Sequence, residues 1–400
     1  MIYTTILTSI SALIGCSSNP PVSLDASNRI ERVLDQEWSM QPWNDETDPL
    51  FPTMKLNASI ELDDSVPFDG SSIEFSGLWW EGKLTVNGES LPIFYGGNQN
   101  VEIQIGDHLQ TGSNSLALTI TAPQNLSSRV TGGTPSSIHR KKENADLRMA
   151  PILHLRPKNH IADIAVPMEE GKIRPVIWIS GDEAHSVDLS IELDGKILQK
   201  LESCPIVEGH SQCPLQEWTL NSWTIGTPEL YQIRGVLKDD SGQILDQYTQ
   251  RIGVRELDWS RQGIFVNQQK IQSFATRMVQ RRGGEDFFSR LQVYQEANIN
   301  TLEIHGELLR EDWLDITDEL GMAVVIVPRC VGRSNHKNGG STQNLLGFMR
   351  MQDQRLNWDS KTHPSVIAYV LEGDSNPKWS DRSLWTEYLQ QNIHNIPVFG

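Results

Sequence analysis

Positive charge is what this 400-residue chain lacks most: 34 Lys+Arg against 51 Asp+Glu leave a formal net charge of −17. A partner held through its phosphate backbone needs a basic face, so nucleic-acid binding is excluded. Apolar runs are short. The N-terminal stretch Ile6–Ile14 falls well below the roughly 20 residues a membrane helix needs. Cysteine is scarce as well, with four in the chain and no Cys-x-x-Cys pair, which removes the usual zinc finger and ribbon spacings. What remains is the composition of a folded chain: 38% hydrophobic, 21% charged, 20 Pro and 30 Gly. Its length suits two to four domains. Twelve Trp can fill β-sandwich cores or stack on sugar rings, and composition leaves both uses open.

Residues 1–15 carry no charged side chain and lead into Leu13-Ile14-Gly15-Cys16. An apolar core of that length reads as a secretory signal. The tetrapeptide resembles the bacterial lipobox, whose cysteine becomes the lipid attachment point. Cys16 is therefore expected to hold the protein to the membrane by a lipid anchor in a bacterial cell envelope, at the periplasmic or outer-membrane face. An ordinary secretory signal is the alternative. Residues 16–50 then read as a tether, their first part rich in Ser, Asn and Pro. Export implies an oxidising compartment, in which Cys204 and Cys213, flanking Glu208-Gly209-His210, fit a local disulfide. A metal site with His210 as third ligand is the sharper alternative and lacks a fourth ligand. Cys330 follows an apolar strand and reads as a buried thiol.

From Met54 to Ala122, short alternating runs such as Ser71–Phe75, Lys83–Val86, Leu91–Tyr95, Val101–Ile105 and Leu116–Ile120 are parted by Asn-Gly and Gly-Gly turns. Such spacing predicts a β-sandwich over 51–156. Within it, Gly132–Asn144 reads as an exposed loop. A second β-rich block over 157–257 contains Val187–Leu193, Trp218–Leu220, Tyr231–Leu237 and Tyr248–Val254, with Asp194-Gly195 as a hairpin turn. After Arg255 the period changes. A hairpin of Gly263–Val266 and Lys270–Ala275 precedes helix Asp286–Ala297, strand Asn300–His305, helix Glu311–Leu320 and strand Ala323–Val327. Strand Val366–Leu371, helix Ser383–Asn392 and strand Ile396–Phe399 follow. Strands alternating with amphipathic helices predict β/α units around a parallel sheet.

Gly82 through Gly88, Gly96-Gly97 and Gly112 through Leu116 resemble the sugar-binding jelly-roll of glycoside hydrolase family 2. Trp223 through Tyr231, with Arg251 through Glu256, is similar to that family's immunoglobulin-like domain. Ile264 through Lys270, Ala297 through Leu302, Asp318 through Met322 and His363-Pro364-Ser365-Val366-Ile367 resemble its catalytic barrel. The matches run in family order over about 330 residues, which makes them stronger together than any single motif. The resemblance implies a multidomain β plus α/β protein. A jelly-roll β-sandwich (51–156) and an immunoglobulin-like β-sandwich (157–257) would precede a partial (β/α)8 TIM barrel (258–400).

It also implies a retaining glycosidase that acts on terminal β-linked carbohydrate. No cofactor and no metal are expected. Counted from His363, the family's Asn-Glu pair falls on Gly373 and Asp374. Asp374 is then the expected acid/base, one methylene shorter than Glu, and Glu372 the nearby substitute. On the strand before Gly306, Glu303 stands where the family carries an Arg, and His305 would line the pocket. Trp79 and Trp80 are candidate stacking residues, although neighbours on a strand point to opposite faces. The family nucleophile lies on a later strand, and from Trp259 to Gly400 the chain is shorter than the about 250 residues of a complete barrel. The expectation is the front part of a longer enzyme. The competing expectation is a non-catalytic carbohydrate-binding or scaffold lipoprotein.

Overall fold

The computed structural model describes residues 29–34, 39–41, 53–76, 78–79, 81–95, 100–121, 146–147, 150–207, 210–211, 213–278, 287–305, 311–327, 360–370, 390 and 396–399. In Gly112–Thr121, buried Asn114, Leu116, Leu118 and Ile120 alternate with more exposed neighbours, the period of a strand with one face in a core. It pairs antiparallel with Thr53–Leu62 on one side and Glu81–Val86 on the other. Ser39–Gln41, Glu89–Ser90 and Phe94–Tyr95 complete this six-stranded sheet. A four-stranded antiparallel sheet runs in the order Ile30–Val33, Ile152–Leu155, Ser72–Ser76, Asn100–Gln104. Leu56, Leu84 and Leu116 of the first sheet share one buried cluster with Ile73, Phe75 and Leu153 of the second. The Asn87-Gly88 hairpin has φ of +49° and +87°, the two left-handed positions that a tight turn between twisted strands demands.

The expected tether of residues 16–50 needs correction where the structure describes it. Ile30–Val33 pairs with Ile152–Leu155, and Ser39–Gln41 pairs with Thr53–Leu62. Both are edge strands whose partners supply the backbone hydrogen bonds that a tether would give to water. Leu34 between them is fully buried in the core of the first block.

A second antiparallel sheet of six strands is built on Ser186–Leu193, Tyr231–Lys238 and Ile244–Ile252, with Cys204–Val207, His210–Ser211 and Lys196–Lys200 beyond them. Val187, Leu189, Ile233, Leu237 and Ile252 enter a core shared with Ile161, Ile164 and Ile177 of the strand pair His160–Ala165 and Val176–Ser180. Asp194-Gly195 forms its hairpin turn with φ of +51° and +74°. The strand expected at Trp218–Leu220 lies earlier, at Gln216–Glu217. Cys204 and Cys213 are joined in a disulfide, which uses both thiols that a metal site with His210 would need. Both cysteines are buried in this second core, and closing so short a loop contributes on the order of 2–3 kcal/mol in the chain-entropy picture.

The antiparallel strands Leu257–Ser260, Gly263–Val266 and Gln269–Lys270 lead into a five-stranded parallel sheet. Its order is the chain order: Ala275–Met278, Thr301–His305, Ala323–Val327, Val366–Val370, Val398–Phe399. The first of these starts where the expected strand Lys270–Ala275 ends, because Gln269–Lys270 pairs back onto Gly263–Val266. Helices Phe287–Glu296 and Glu311–Leu320 follow the first and second strands. Leu291 and Leu314 of these helices join Leu302, Ile304, Val324, Ile326, Val366 and Tyr369 in one core, and Phe287 stacks on Trp313 at 4.2 Å. Val266, Ala323 and Ile367 form a further buried cluster with Val325 and Ile264 packed on it. Among the described residues no helix is long and apolar enough to cross a membrane.

Candidate active site

Side chains alternate along a strand. Since Leu302 and Ile304 enter the helix-side core, Glu303 faces the other side of the parallel sheet, with its partner Val325. Glu303 is half-buried and stands in register with Arg277 on the neighbouring strand. His305 ends the same strand opposite Val327. These positions lie toward the carboxyl ends of parallel strands, where β/α folds assemble their binding sites. A carboxylate and a guanidinium in register there can accept from and donate to the polar groups of a ligand.

The other candidates are less fully described. Trp79 belongs to the short strand Leu78–Trp79, which pairs with Asp146–Leu147. Cys16, Trp80, Cys330, Glu372, Gly373 and Asp374 lie outside the described residues, as do the Gly132–Asn144 loop and most of the expected helix Ser383–Asn392. The structure therefore brings Glu303 together with Arg277, which the sequence reading did not single out. Nothing in the linear sequence marks Arg277; only the parallel register places it level with Glu303.

A second polar cluster sits at the opposite, amino-terminal end of the strands. Asp318, near the end of helix Glu311–Leu320, accepts from the Ser365 amide at 2.9 Å and pairs with His363 Nδ1 at 2.7 Å. Its own backbone carbonyl accepts from Trp223 Nε1 at 2.8 Å. The hydroxyls of Thr317 and Ser365 meet at 3.0 Å. Arg255 donates from Nε to the Pro364 carbonyl and from Nη2 to that of Val366. Burial pushes the Arg255 guanidinium down to about 10, against the opposing pull of Asp318, so it is charged at neutral pH. Asp315, Asp318 and His363 bring three potential ligand atoms within 4.8 Å. Both Asp318 oxygens already accept hydrogen bonds and Asp315 pairs with Arg251 at 2.6 Å, so these groups act here as a structural network. His363-Pro364-Ser365 and Asp318 were visible in the sequence as motif residues. That they meet each other, and Trp223 and Arg255, was not.

Residues 172–255 match the model of the glycosyl hydrolases family 2. A β-galactosidase of Clostridium acetobutylicum is 21% identical over 378 residues, covering 84% of this chain and 40% of that enzyme. A β-galactosidase of Alteromonas mediterranea is 25% identical over 162 residues, covering 37% of this chain and 15% of that enzyme. The chain thus spans less than half the length of these curated relatives. The β-glucuronidase of Ruminococcus gnavus, solved in complex with D-glucuronic acid, superimposes with a TM-score of 0.71 at 17% identity, covering 92% of this chain and 72% of that one. The fold is β-rich with few helices, as in that enzyme.

Proposed function

We propose that this chain, a protein of the glycoside hydrolase family 2 type, serves hydrolysis of terminal β-linked sugars with retention of configuration. In this reading the first β block (51–156) is a jelly-roll, the second (157–257) an immunoglobulin-like sandwich and the third (258–400) part of a (β/α)8 barrel. The observation that carries it is the parallel sheet, whose strand Val366–Val370 is followed in the sequence by Glu372 and Asp374. Asp374 is the acid/base that protonates the leaving oxygen, with Glu372 as its substitute. His305 and Glu303 contact the carbohydrate, and one of Trp79 and Trp80, which face opposite ways on a strand, stacks on it. A retaining mechanism needs its two carboxyl groups about 5–5.5 Å apart, so the shorter Asp374 requires either a closer backbone or a closer sugar than Glu would.

Assaying the complete natural gene product against aryl β-galactosides, β-glucuronides and β-mannosides tests this. Turnover of at least one is expected, and Asp374→Ala should lower kcat by about a hundredfold or more, the usual contribution of a general acid. No cleavage by the wild type, or full activity in Asp374→Ala, sinks the reading; sugar binding without cleavage would support a carbohydrate-binding protein instead. Localisation is proposed on Cys16 alone: a lipid anchor predicts that Cys16→Ser moves the protein from the membrane to the soluble fraction. Unchanged fractionation rules the anchor out.

A further inference from the structure

We infer that Arg255 is a positioning residue: from the second β block it clamps the start of strand Val366–Val370 and thereby sets the register with which that strand runs to its carboxyl end. The inference rests on the reading of Glu372 and Asp374 given above.

Three consecutive carbonyls, of Pro364, Ser365 and Val366, lead into this strand, and they are divided between two parts of the fold. The Ser365 carbonyl accepts from the Val324 amide at 2.7 Å, as a sheet neighbour should. The carbonyls of Pro364 and Val366, on either side, both accept from the one guanidinium of Arg255. Arginine's planar fork is suited to holding two oxygens at a fixed spacing, which an ammonium is not. The Ser365 amide is held in turn by Asp318, whose negative charge faces the buried guanidinium. Both carbonyl contacts are made by the same side chain, so the clamp depends on Arg255.

The clamp lies where the ladder itself is irregular. Pairing steps from Val324 opposite Val366 to Val325 opposite Ala368, so one residue of the strand is skipped at this point. A bulge leaves the local register under-determined by backbone bonds. A one-residue slip reverses which face each side chain meets, from Val366 to Val370. The second block presses on the same place: a Cβ at Gly253 would come within 2.6 Å of Pro364 Cγ. Trp223, fully buried, completes the contact by donating to the Asp318 carbonyl. The second block is thus bound to the strand through polar contacts at its amino-terminal end, while the proposed chemistry lies at its carboxyl end.

Arg255→Lys keeps the charge and loses the fork, and Arg255→Met loses both. In the complete protein, Arg255→Lys is expected to lower kcat on a cleaved aryl glycoside at least about tenfold with KM within about twofold, because misplacing a reacting group by about 1 Å can cost a hundredfold in rate. Arg255→Met should lose more, so that lysine rescues part of the defect. Hydrogen exchange at residues 366–370 should quicken in both. Unchanged kcat together with unchanged exchange in Arg255→Lys overturns the clamp, as does a loss confined to KM. If Arg255→Met does not fold, Arg255→Lys alone decides. If the wild type cleaves nothing, the hydrolase reading fails separately, and the clamp stands or falls on whether exchange at 366–370 quickens in Arg255→Lys.

Discussion

Arg29→Met is expected to destabilise the protein by about 3–5 kcal/mol, the usual consequence of leaving one partner of a buried ion pair alone. Arg29 precedes the first strand of the first block, yet its guanidinium pairs with both oxygens of Asp246 in the second block. The Asp246 side chain is 0% exposed and that of Arg29 11%. Arg29 also donates to the Ile161 carbonyl at 2.5 Å and lies 4.5 Å from the centre of the Tyr248 ring. With Arg29 gone, Asp246 keeps only the Ile161 amide, at 2.8 Å, among these contacts. One backbone hydrogen bond does not offset a buried carboxylate. Asp246→Asn in the Arg29→Met background should recover much of the loss, because the amide removes the unpaired charge. Urea unfolding of the two single variants and the double variant measures the coupling. A loss under about 1 kcal/mol in Arg29→Met would mean that water reaches Asp246 and the pair does not bind the blocks together.

Stability should also fall as the pH rises from 6 to 10, by on the order of 3 kcal/mol, through His154 alone. Burial by itself would lower the basicity of this imidazole. Hydrogen bonds to Glu31 and Glu74 more than reverse that and raise it from 6.5 to about 9. The geometry explains why. Nδ1 lies 3.2 Å from Glu31 and Nε2 3.3 Å from Glu74, so both ring nitrogens face carboxylates and only the imidazolium can donate to both. The folded state therefore holds a proton that the unfolded chain releases near 6.5. The stabilisation is complete below that pH and disappears as the pH rises through about 9. Since Glu31 lies on the edge strand Ile30–Val33, this strand is the part expected to loosen first at high pH. His154→Gln should flatten the dependence of urea midpoint on pH in this window. A variant with the wild-type slope would assign the effect to other groups.

Both sites show where sequence reading stops. Helix Glu311–Leu320 and strand Ala323–Val327 could be delimited from the sequence because periodicity and end signals are local. Asp194-Gly195 could be placed as a turn for the same reason, since the residues that tolerate left-handed angles are few. Ile30–Val33 could not. It is four residues long, shows no apolar face by itself, and becomes a strand only through Ile152–Leu155, more than a hundred residues later. The candidate site divides in the same way. Glu303 was legible because it departs from a motif, whereas Arg277 beside it emerged from the parallel register.

By itself, then, the sequence determined the order of β-rich and β/α segments, their turns and the family likeness of the chain, all of which depend on residues close together or on motifs in linear order. Tertiary structure alone decided that Arg29 reaches Asp246, that His154 sits between two carboxylates, and that Arg255, Asp318 and His363 meet at one end of the parallel sheet. Such pairings join residues tens to hundreds of positions apart. Charged side chains in a linear sequence give no sign of which will be desolvated together, because burial is a property of the packed chain and it is burial that makes each pairing strong.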